Sequence, residues 1–245
     1  MNSTTTLIKS HRSIRKFTDE AVSDEIIGEL IACGQAAATS SNVQAVTVIQ
    51  VTDPDIREQM ATLAGGQPYV ASAGAFLVYC ADLNRPSLAC QSKGGEFSPG
   101  MTEHFIIATV DVALAAQTTV IAAESMGLGI CYIGGLRNKP AEVAELLSLP
   151  DQVYPVFGLC LGYPAQDPEV KPRLPVEAVW MKDRYDSAIF DTAVPAYDAH
   201  VREYYLTRTG GNKDSTWSDE MKALVGKESR PHMQGFLHDR GFMLK

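Results

Sequence analysis

Apolar positions near the start of the chain follow a helical spacing and then change to short continuous runs. Residues 23–38 open with a cap-like serine and two acids, and their apolar side chains share one helical face, namely Ile26, Ile27, Leu30 and Ile31. Residues 45–51, AVTVIQV, are rich in β-branched side chains and short. The pattern predicts a helix followed by a buried strand.

The same alternation continues as far as Gly162. It predicts a short helix before residue 11, helices at 53–64 and about 140–149, and strands at 74–82, 129–135 and 153–162. Strands separated by helices indicate an α/β or α+β sheet with helices packed on it.

Residues 104–130 are apolar almost throughout and could be mistaken for a membrane span. Asp111, Gln117 and Glu124 interrupt the stretch, and carboxyl groups without partners are costly in hydrocarbon. We therefore predict a long helix that is buried in a core or at a subunit interface.

The composition changes after Gly162. Residues 163–180, YPAQDPEVKPRLPVEAVW, contain four prolines, which remove backbone donors and disfavour a helix. We predict an extended arm over about 163–193 and a helical tail over about 194–245, both as parts of a single domain that spans 1–245. This organisation is typical of a subunit whose arm and tail wrap around a partner.

The charge balance excludes several classes of partner. The 245-residue chain has 21 Lys and Arg against 29 Asp and Glu, a net charge of -8. Nucleic acid or an anionic membrane would require cations over a broad face, so we expect neither. The five cysteines show no CxxC spacing, which argues against a metal site and favours reduced thiols. The N-terminal residues lack the order of a signal peptide, so we expect a cytoplasmic protein.

Residues 11–16, HRSIRK, concentrate positive charge in this acidic chain. Arginine provides paired donors for a phosphate, and Ser13 can donate to the same oxygens. A small anion is the natural ligand for such a stretch. A cationic helix end in solvent is nevertheless the simpler interpretation of this stretch alone, and the same holds for the cations of the tail.

Three further stretches have the composition of ligand-binding loops. Residues 39–44, TSSNVQ, offer neutral donors and acceptors between a helix and a strand. Residues 65–69, GGQPY, combine flexible backbone with an amide, and residues 132–138, YIGGLRN, end a strand in two glycines. Ordinary polar turns would look similar. None of the three matches a dinucleotide-binding or phosphate-binding glycine motif, and the chain has no GxSxG or HExxH hydrolase signature.

The chain resembles the nitroreductase family, in particular its subgroup of oxygen-insensitive NADPH nitroreductases and NADPH:flavin oxidoreductases. The resemblance runs in order over nearly the whole chain and is carried by HRSIRKFTDE, TSSNVQ, GGQ, AAESMGLGICYIGGLRN, FGLCLGYPAQDPEVKPRLP, EYYLTR, TWSD and KESRP. It implies an α+β, nitroreductase-like FMN-binding fold with a central sheet flanked by helices. It also implies an intertwined homodimer with a C-terminal extension and FMN at two interfacial sites.

The resemblance further implies roles for individual residues. The FMN phosphate would be held by His11, Ser13, Lys171 and Arg173, with Arg12 nearby, and Arg15 would face the N1/O2 side of the flavin. The remaining flavin contacts would come from Thr39, Ser40, Ser41, Asn42 and Gln44 of the partner subunit, and from Gln67, Ile133, Gly134, Gly135 and Arg137. The nucleotide side, which favours NADPH, would comprise Arg208, Lys213, Lys227, Ser229 and Arg230.

The implied reaction is ping-pong hydride transfer from NADPH to FMN, followed by two-electron reduction of a nitroaromatic, a quinone or a free flavin. It needs no metal and no side chain acting as a lone acid or base. Ala45, Asn42 and Lys213 depart from residues that are common in the family, which leaves the acceptor and the strictness for NADPH open. Two alternatives remain: a dedicated NADPH:flavin reductase, which differs in its acceptor, and a noncatalytic flavin-binding module.

Overall fold

The computed structural model describes residues 2–245 and separates them into two units. The first comprises residues 2–166 together with 232–245, and the second comprises residues 167–231. Two parts of the predicted arm and tail therefore belong to the first unit, namely residues 163–166 and the C-terminal segment 232–245. That the chain forms a single domain over 1–245 stays a prediction.

An antiparallel sheet of four strands forms the centre of the first unit. Its order is β1-β2-β4-β3, where the strands are β1 (Val46–Gln50), β2 (Ala75–Asp82), β3 (Gly129–Ile133) and β4 (Val153–Gly162). Because β2 and β4 lie in the middle, their side chains are covered on both faces, and all eight residues of β2 are buried. Cys131 of β3 faces Cys160 of β4 in the register.

Helices cover this sheet. In the first unit they are α1 (Ser3–Lys9), α2 (Asp24–Gln35), α3 (Pro54–Leu63), α4 (Tyr69–Ser72), α5 (Asn84–Ser92), α6 (Thr102–Ser125), α7 (Pro140–Leu146) and α10 (Met233–Asp239). Ser23 caps α2 and Asp53 caps α3, as their side chains accept backbone N–H groups of the first turn. The mixed α+β class that the resemblance implied is confirmed.

Helix α6 is the core helix of the first unit. It is long and apolar enough to cross a membrane by length and composition only. Its buried face consists largely of small residues, among them Ala108, Ala115, Ala116 and Ala123, and packs against α2 and the sheet. Its other face leaves Ile106, Val110 and Leu114 between 44% and 49% exposed. The predicted long helix is confirmed.

The second unit contains α8 (Phe190–Thr207) and α9 (Trp217–Val225), preceded by the arm. The arm is irregular apart from single turns at Val176–Ala178 and Ser187–Ile189. The side chains of Tyr197, Val201 and Tyr205 form a small apolar cluster on α8. Several large apolar side chains of the arm remain exposed, namely Val176, Val179, Trp180 and Tyr185.

Most predicted elements are confirmed, and the differences concern the ends of helices and polar segments. Helix α5 was not predicted, because its apolar residues are few. Helix α10 lies within the predicted helical tail. Residues 216–231 were predicted as helical throughout, but α9 ends at Val225 and Gly226 follows as its C-cap. A Cβ at Gly226 would contact the Lys222 carbonyl, so the chain can turn away closely there.

We predict opposite effects for alanine at the two glycines of α2. A Cβ at Gly34 would contact Oγ1 of Thr119 on α6, whereas one at Gly28 meets open space. Gly34→Ala should lower the free energy of unfolding by about 1–3 kcal/mol through overpacking. Gly28→Ala should raise it by about 0.5–1 kcal/mol, because alanine is the better helix former. Urea unfolding of both variants measures the difference, and equal changes would contradict the close contact of α2 with α6.

Candidate active site

Residues 13–15 run along the outer edge of β3. Ser13 forms a bridge with Ile130, and the Ile14 N–H donates to the Ile130 carbonyl at 2.8 Å. Ile14 is buried, and a Cβ at Gly129 would lie 2.7 Å from it, so the glycine admits this close approach. Since side chains alternate along an extended segment, Ser13 and Arg15 project to the side opposite Ile14.

His11 and Arg12 precede this segment, and the side chains of both interact with other residues of the chain. The His11 ring Nδ1 lies 2.6 Å from Oε1 of Glu124 near the end of α6. The Arg12 guanidinium donates to the Ser10 carbonyl at 3.1 Å. Glu124 therefore orients the His11 imidazole, and the other ring nitrogen is available to a ligand.

Arg15, Tyr69 and Gln67 form a hydrogen-bonded cluster. The Tyr69 hydroxyl donates to Gln67 Oε1 at 2.5 Å, and Gln67 Nε2 donates to the Ala64 carbonyl at 2.6 Å. The Arg15 guanidinium interacts with the same hydroxyl. Burial raises the pKa of Tyr69 above its ordinary value and Arg15 opposes this shift, so the hydroxyl stays protonated and acts as a donor near neutral pH.

The two glycines after β3 complete this cluster. A Cβ at Gly135 would contact the Ala64 carbonyl and lie 2.6 Å from Gln67 Nε2, so only glycine lets the turn after Ile133 pack on the turn that carries Gln67. Beside Gly134, the Arg137 guanidinium donates to the Val156 carbonyl at 2.5 Å. Arg137 thus braces the turn against β4.

This arrangement fits the pyrimidine side of a flavin. Arg15 supplies a fixed positive charge, Gln67 supplies an oriented amide, and the turn of Gly134 and Gly135 supplies backbone next to that amide. Such donors suit the carbonyl and N1/O2 edge of an isoalloxazine ring. Tyr69 was not assigned a role from the sequence, although it stands in the GGQPY stretch, where its position two residues after Gln67 was the available signal.

The loop at residues 39–45 is held by a buried carboxylate. Asp111 of α6 is 1% exposed and accepts the backbone N–H of Ser40 at 3.1 Å and that of Ala45 at 3.3 Å. Between these two anchors the backbone is left-handed at three non-glycine residues, namely Ser41, Asn42 and Gln44. Such conformations persist only where the surroundings enforce them, and they concentrate at functional sites.

The polar side chains of this loop point outward. The Thr39 hydroxyl is the exception, as it accepts the Gln44 N–H at 3.3 Å. Ser40, Ser41, Asn42 and Gln44 are exposed. Sequence reasoning treated Asp111 only as an interruption of an apolar stretch and missed its part in shaping the loop, even though a carboxyl in an apolar helix signals an unusual role.

The candidate residues of the second unit fall into two groups. Lys171, Arg208 and Lys213 surround the ring of Tyr205. Arg173 lies next to Tyr197, whose hydroxyl donates to the Pro172 carbonyl at 2.8 Å. Lys171 and Arg173 also line a cavity of about 490 Å³ together with Tyr197 and Trp217.

Lys227, Ser229 and Arg230 follow α9 along the chain. Lys227 and Ser229 are exposed. Arg230 is half-buried and adopts a left-handed backbone conformation.

The family comparison agrees with this geometry. The family model described as "Nitroreductase family" matches residues 8–163, and the one described as "Nitroreductase family, C-terminal domain" matches residues 171–245. The chain belongs to the nitroreductase family.

Similar proteins cover the chain from end to end. The FMN reductase (NADPH) of Bacillus subtilis is 44% identical over 99% of both chains, and the oxygen-insensitive NADPH nitroreductase of Salmonella typhimurium is 42% identical over 99% of both. The solved structure of the NADPH:FMN oxidoreductase from Vibrio harveyi, complexed with NAD+, matches with a TM-score of 0.91 and 41% identity over 100% of both chains. The family and fold implied by the resemblance are therefore confirmed.

We predict that Asp111→Asn loosens the 39–45 loop. An amide nitrogen in place of one carboxylate oxygen cannot accept a backbone N–H, so one buried donor loses its partner, at a cost of about 1–3 kcal/mol in the free energy of unfolding. Hydrogen exchange at Ser40 and Ala45 should accelerate, as measured by mass spectrometry.

The matched control for this variant is Glu103→Gln, at an exposed acid on the same helix. It should leave exchange in the loop unchanged. Unchanged exchange in Asp111→Asn would contradict the anchoring role of Asp111.

Proposed function

We propose that this protein is an FMN-dependent NADPH oxidoreductase that reduces nitroaromatic, quinone or flavin acceptors by two electrons. The observation that carries the proposal is the cluster of Arg15, Tyr69 and Gln67 beside the Gly134 and Gly135 turn. The full-length similarity to an NADPH-dependent FMN reductase and an NADPH nitroreductase supports it.

When bound, FMN would supply the redox-active ring for two-electron transfer from NADPH to the acceptor, and Arg15 and Gln67 would hold its pyrimidine side. The role of Arg15 is to stabilise the negative charge that develops on the pyrimidine side, because its guanidinium carries a fixed charge. Tyr69 holds the Gln67 amide through Oε1, and the second N–H of Gln67 Nε2 is left to donate to the ring. Gly135 keeps the turn after β3 close to this amide, because a Cβ there would collide with the Ala64 carbonyl and with Gln67 Nε2.

The phosphate groups of FMN and NADPH are assigned to the cationic residues that the resemblance implies. His11, oriented by Glu124, and Ser13 with Arg12 serve the FMN phosphate together with Lys171 and Arg173. The nucleotide of NADPH is assigned to Arg208, Lys213, Lys227, Ser229 and Arg230. By the resemblance, the backbone around Gly134 and Gly135 is assigned near N5 and O4 of the flavin, and Ile133 is one further contact. Arg137 is assigned close by, where it braces the turn.

We also propose that two copies of the chain form a homodimer in the cytoplasm. Ile106, Val110 and Leu114 form an exposed apolar stripe on α6. Burial of such a stripe against a second copy is favourable, because it removes apolar surface from water. The exposed apolar residues of the arm supply a second such surface, since Val179 and Trp180 are 72% and 68% exposed. The outward side chains of the 39–45 loop suit a loop that serves the flavin of the partner subunit.

A dedicated NADPH:flavin reductase is the second candidate, because the similar Bacillus subtilis protein carries that name. Steady-state rates with free FMN, nitrofurazone and a quinone distinguish the two functions. A strong preference for free flavin would favour the dedicated reductase.

The function is tested by anaerobic mixing of the FMN-loaded protein with NADPH. The yellow absorbance of the bound flavin should bleach in the wild type. Arg15→Ala should slow the bleaching about tenfold or more, because the charge next to the pyrimidine ring is lost. A wild-type protein that binds FMN but does not bleach would instead be a noncatalytic flavin-binding module.

Two control variants separate charge at the ring from other effects. Lys16→Ala removes an exposed neighbouring cation and should bleach at the wild-type rate. Ser13→Ala should weaken FMN binding more than it slows bleaching. Equal slowing by Ser13→Ala and Arg15→Ala would show that the assigned division of roles is wrong.

The homodimer is tested with Val110→Glu. A carboxylate in the middle of the exposed stripe of α6 should convert the dimer to a monomer, because an unpaired charge would have to be buried. Size-exclusion chromatography with light scattering measures the mass. Leu88→Glu, at a residue of α5 that is 57% exposed, is the matched control and should remain dimeric. A dimeric Val110→Glu protein would place the interface elsewhere.

A further inference from the structure

Three cations from two separate segments surround the ring of Tyr205 at the end of α8. Lys213 Nζ lies 4.2 Å from the ring centroid, the Arg208 guanidinium carbon 4.9 Å, and Lys171 Nζ 5.3 Å. Tyr205 itself is 3% exposed. Lys171 belongs to the arm, whereas Arg208 and Lys213 belong to the loop that follows α8. The ring therefore lies where the arm and the loop meet within the second unit.

Backbone and side-chain hydrogen bonds hold both segments in this position. The Lys213 N–H donates to the Tyr205 carbonyl at 3.2 Å, and Arg208 Nε donates to the Gly211 carbonyl at 2.8 Å. Glu169 of the arm accepts the Thr209 N–H at 3.0 Å and the Thr209 hydroxyl at 2.9 Å. These hydrogen bonds join the arm to the loop at Glu169, which lies two residues before Lys171.

The charges around the ring are only partly balanced. Lys213 forms an ion pair with Glu220 at 2.7 Å, and the hydroxyl of Ser215 donates to the same carboxylate. The ion pair lowers the pKa of Glu220 and raises that of Lys213, so both are charged at neutral pH. With Glu169 as the second nearby acid, three cations face two carboxylates, and the surplus positive charge suits an anionic ligand.

The electron-rich face of an aromatic ring attracts cations, and this attraction offsets the repulsion among like charges held close together. A leucine would occupy part of the same apolar space without attracting them. Among the described aromatic rings of this unit, that of Tyr205 is the one that Lys171, Arg208 and Lys213 all contact.

We propose that Tyr205 is a positioning residue that holds Lys171, Arg208 and Lys213 as one anion-binding cluster, which serves both the FMN phosphate and the 2′-phosphate of NADPH. The inference rests on the proposed function, which assigns Lys171 to the first phosphate and Arg208 and Lys213 to the second. The two phosphate sites then depend on the same ring, so a change in the arm or in the loop after α8 affects the binding of both FMN and NADPH.

The test is equilibrium binding with two probes. FMN is titrated into flavin-depleted protein by fluorescence quenching, and adenosine 2′,5′-bisphosphate is titrated into the FMN-loaded protein by calorimetry. Tyr205→Leu should weaken both ligands roughly tenfold, whereas Tyr205→Phe, which keeps the ring, should stay within about twofold of the wild type. Binding of adenosine 5′-monophosphate, which lacks the 2′-phosphate, should not change between the variants.

Val201→Ala is the matched structural control. Val201 is 1% exposed in the same apolar cluster and contacts none of the three cations through a ring. The variant should lower the melting temperature without changing either affinity. Equal losses of affinity in Val201→Ala and Tyr205→Leu would overturn the proposal, because they would reduce the role of Tyr205 to packing.

Substitutions of two lysines outside the apolar core, the exposed Lys171 and the half-buried Lys213, provide a second test. Lys171→Gln should weaken adenosine 2′,5′-bisphosphate, and Lys213→Gln should weaken FMN, each about threefold or more. Lys182→Gln is the control, since Lys182 lies 5.8 Å from the Trp180 ring in the same unit and outside the cluster. Each lysine affecting only its own ligand would overturn the shared cluster.

The outcomes for this inference and for the proposed function are distinguishable. Failure of the wild type to bleach with NADPH rejects the oxidoreductase, while the binding titrations still decide the role of Tyr205. Normal bleaching combined with wild-type affinities in Tyr205→Leu rejects the positioning role alone.

Discussion

The buried carboxylate of Asp111 is the interaction on which the candidate site depends most. A charge inside a core helix must be satisfied by hydrogen bonds, and the backbone N–H groups of Ser40 and Ala45 satisfy it. This requirement forces the connection between α2 and β1 through three left-handed residues and turns its polar side chains outward. The shape of the loop thus follows from the need to provide hydrogen bonds to one buried carboxylate.

Close packing of backbone provides the second constraint. Gly129 admits Ile14, and Gly135 admits the turn that carries Gln67. Because these two contacts exclude a Cβ, the segment with Arg15 and the turn with Gln67 are fixed relative to the end of β3. Tyr69 then links the side chains of Arg15 and Gln67 by hydrogen bonds. The cluster is therefore assembled by three chain segments that the sheet brings together.

Sequence patterns predicted the regular elements of the core well, because β2 and α6 are continuous apolar runs of the lengths that a buried strand and a core helix need. Helix α5 escaped prediction because its sequence, NRPSLACQS, has little apolar spacing and is held by its surroundings. The site residues came from the resemblance to a family, since spacing alone left each motif open to an ordinary turn. The pairing of His11 with Glu124 and the meeting of Lys171 with Lys213 are tertiary contacts that no local pattern contains.

The two thiols that face each other across β3 and β4 have a practical consequence. Burial raises the pKa of both Cys131 and Cys160, and the thiolate is the reactive form of cysteine. Alkylating reagents therefore modify these sulfurs slowly while the sheet is intact. Their rate of labelling reports how often the centre of the protein opens, which makes the pair a built-in probe of local unfolding.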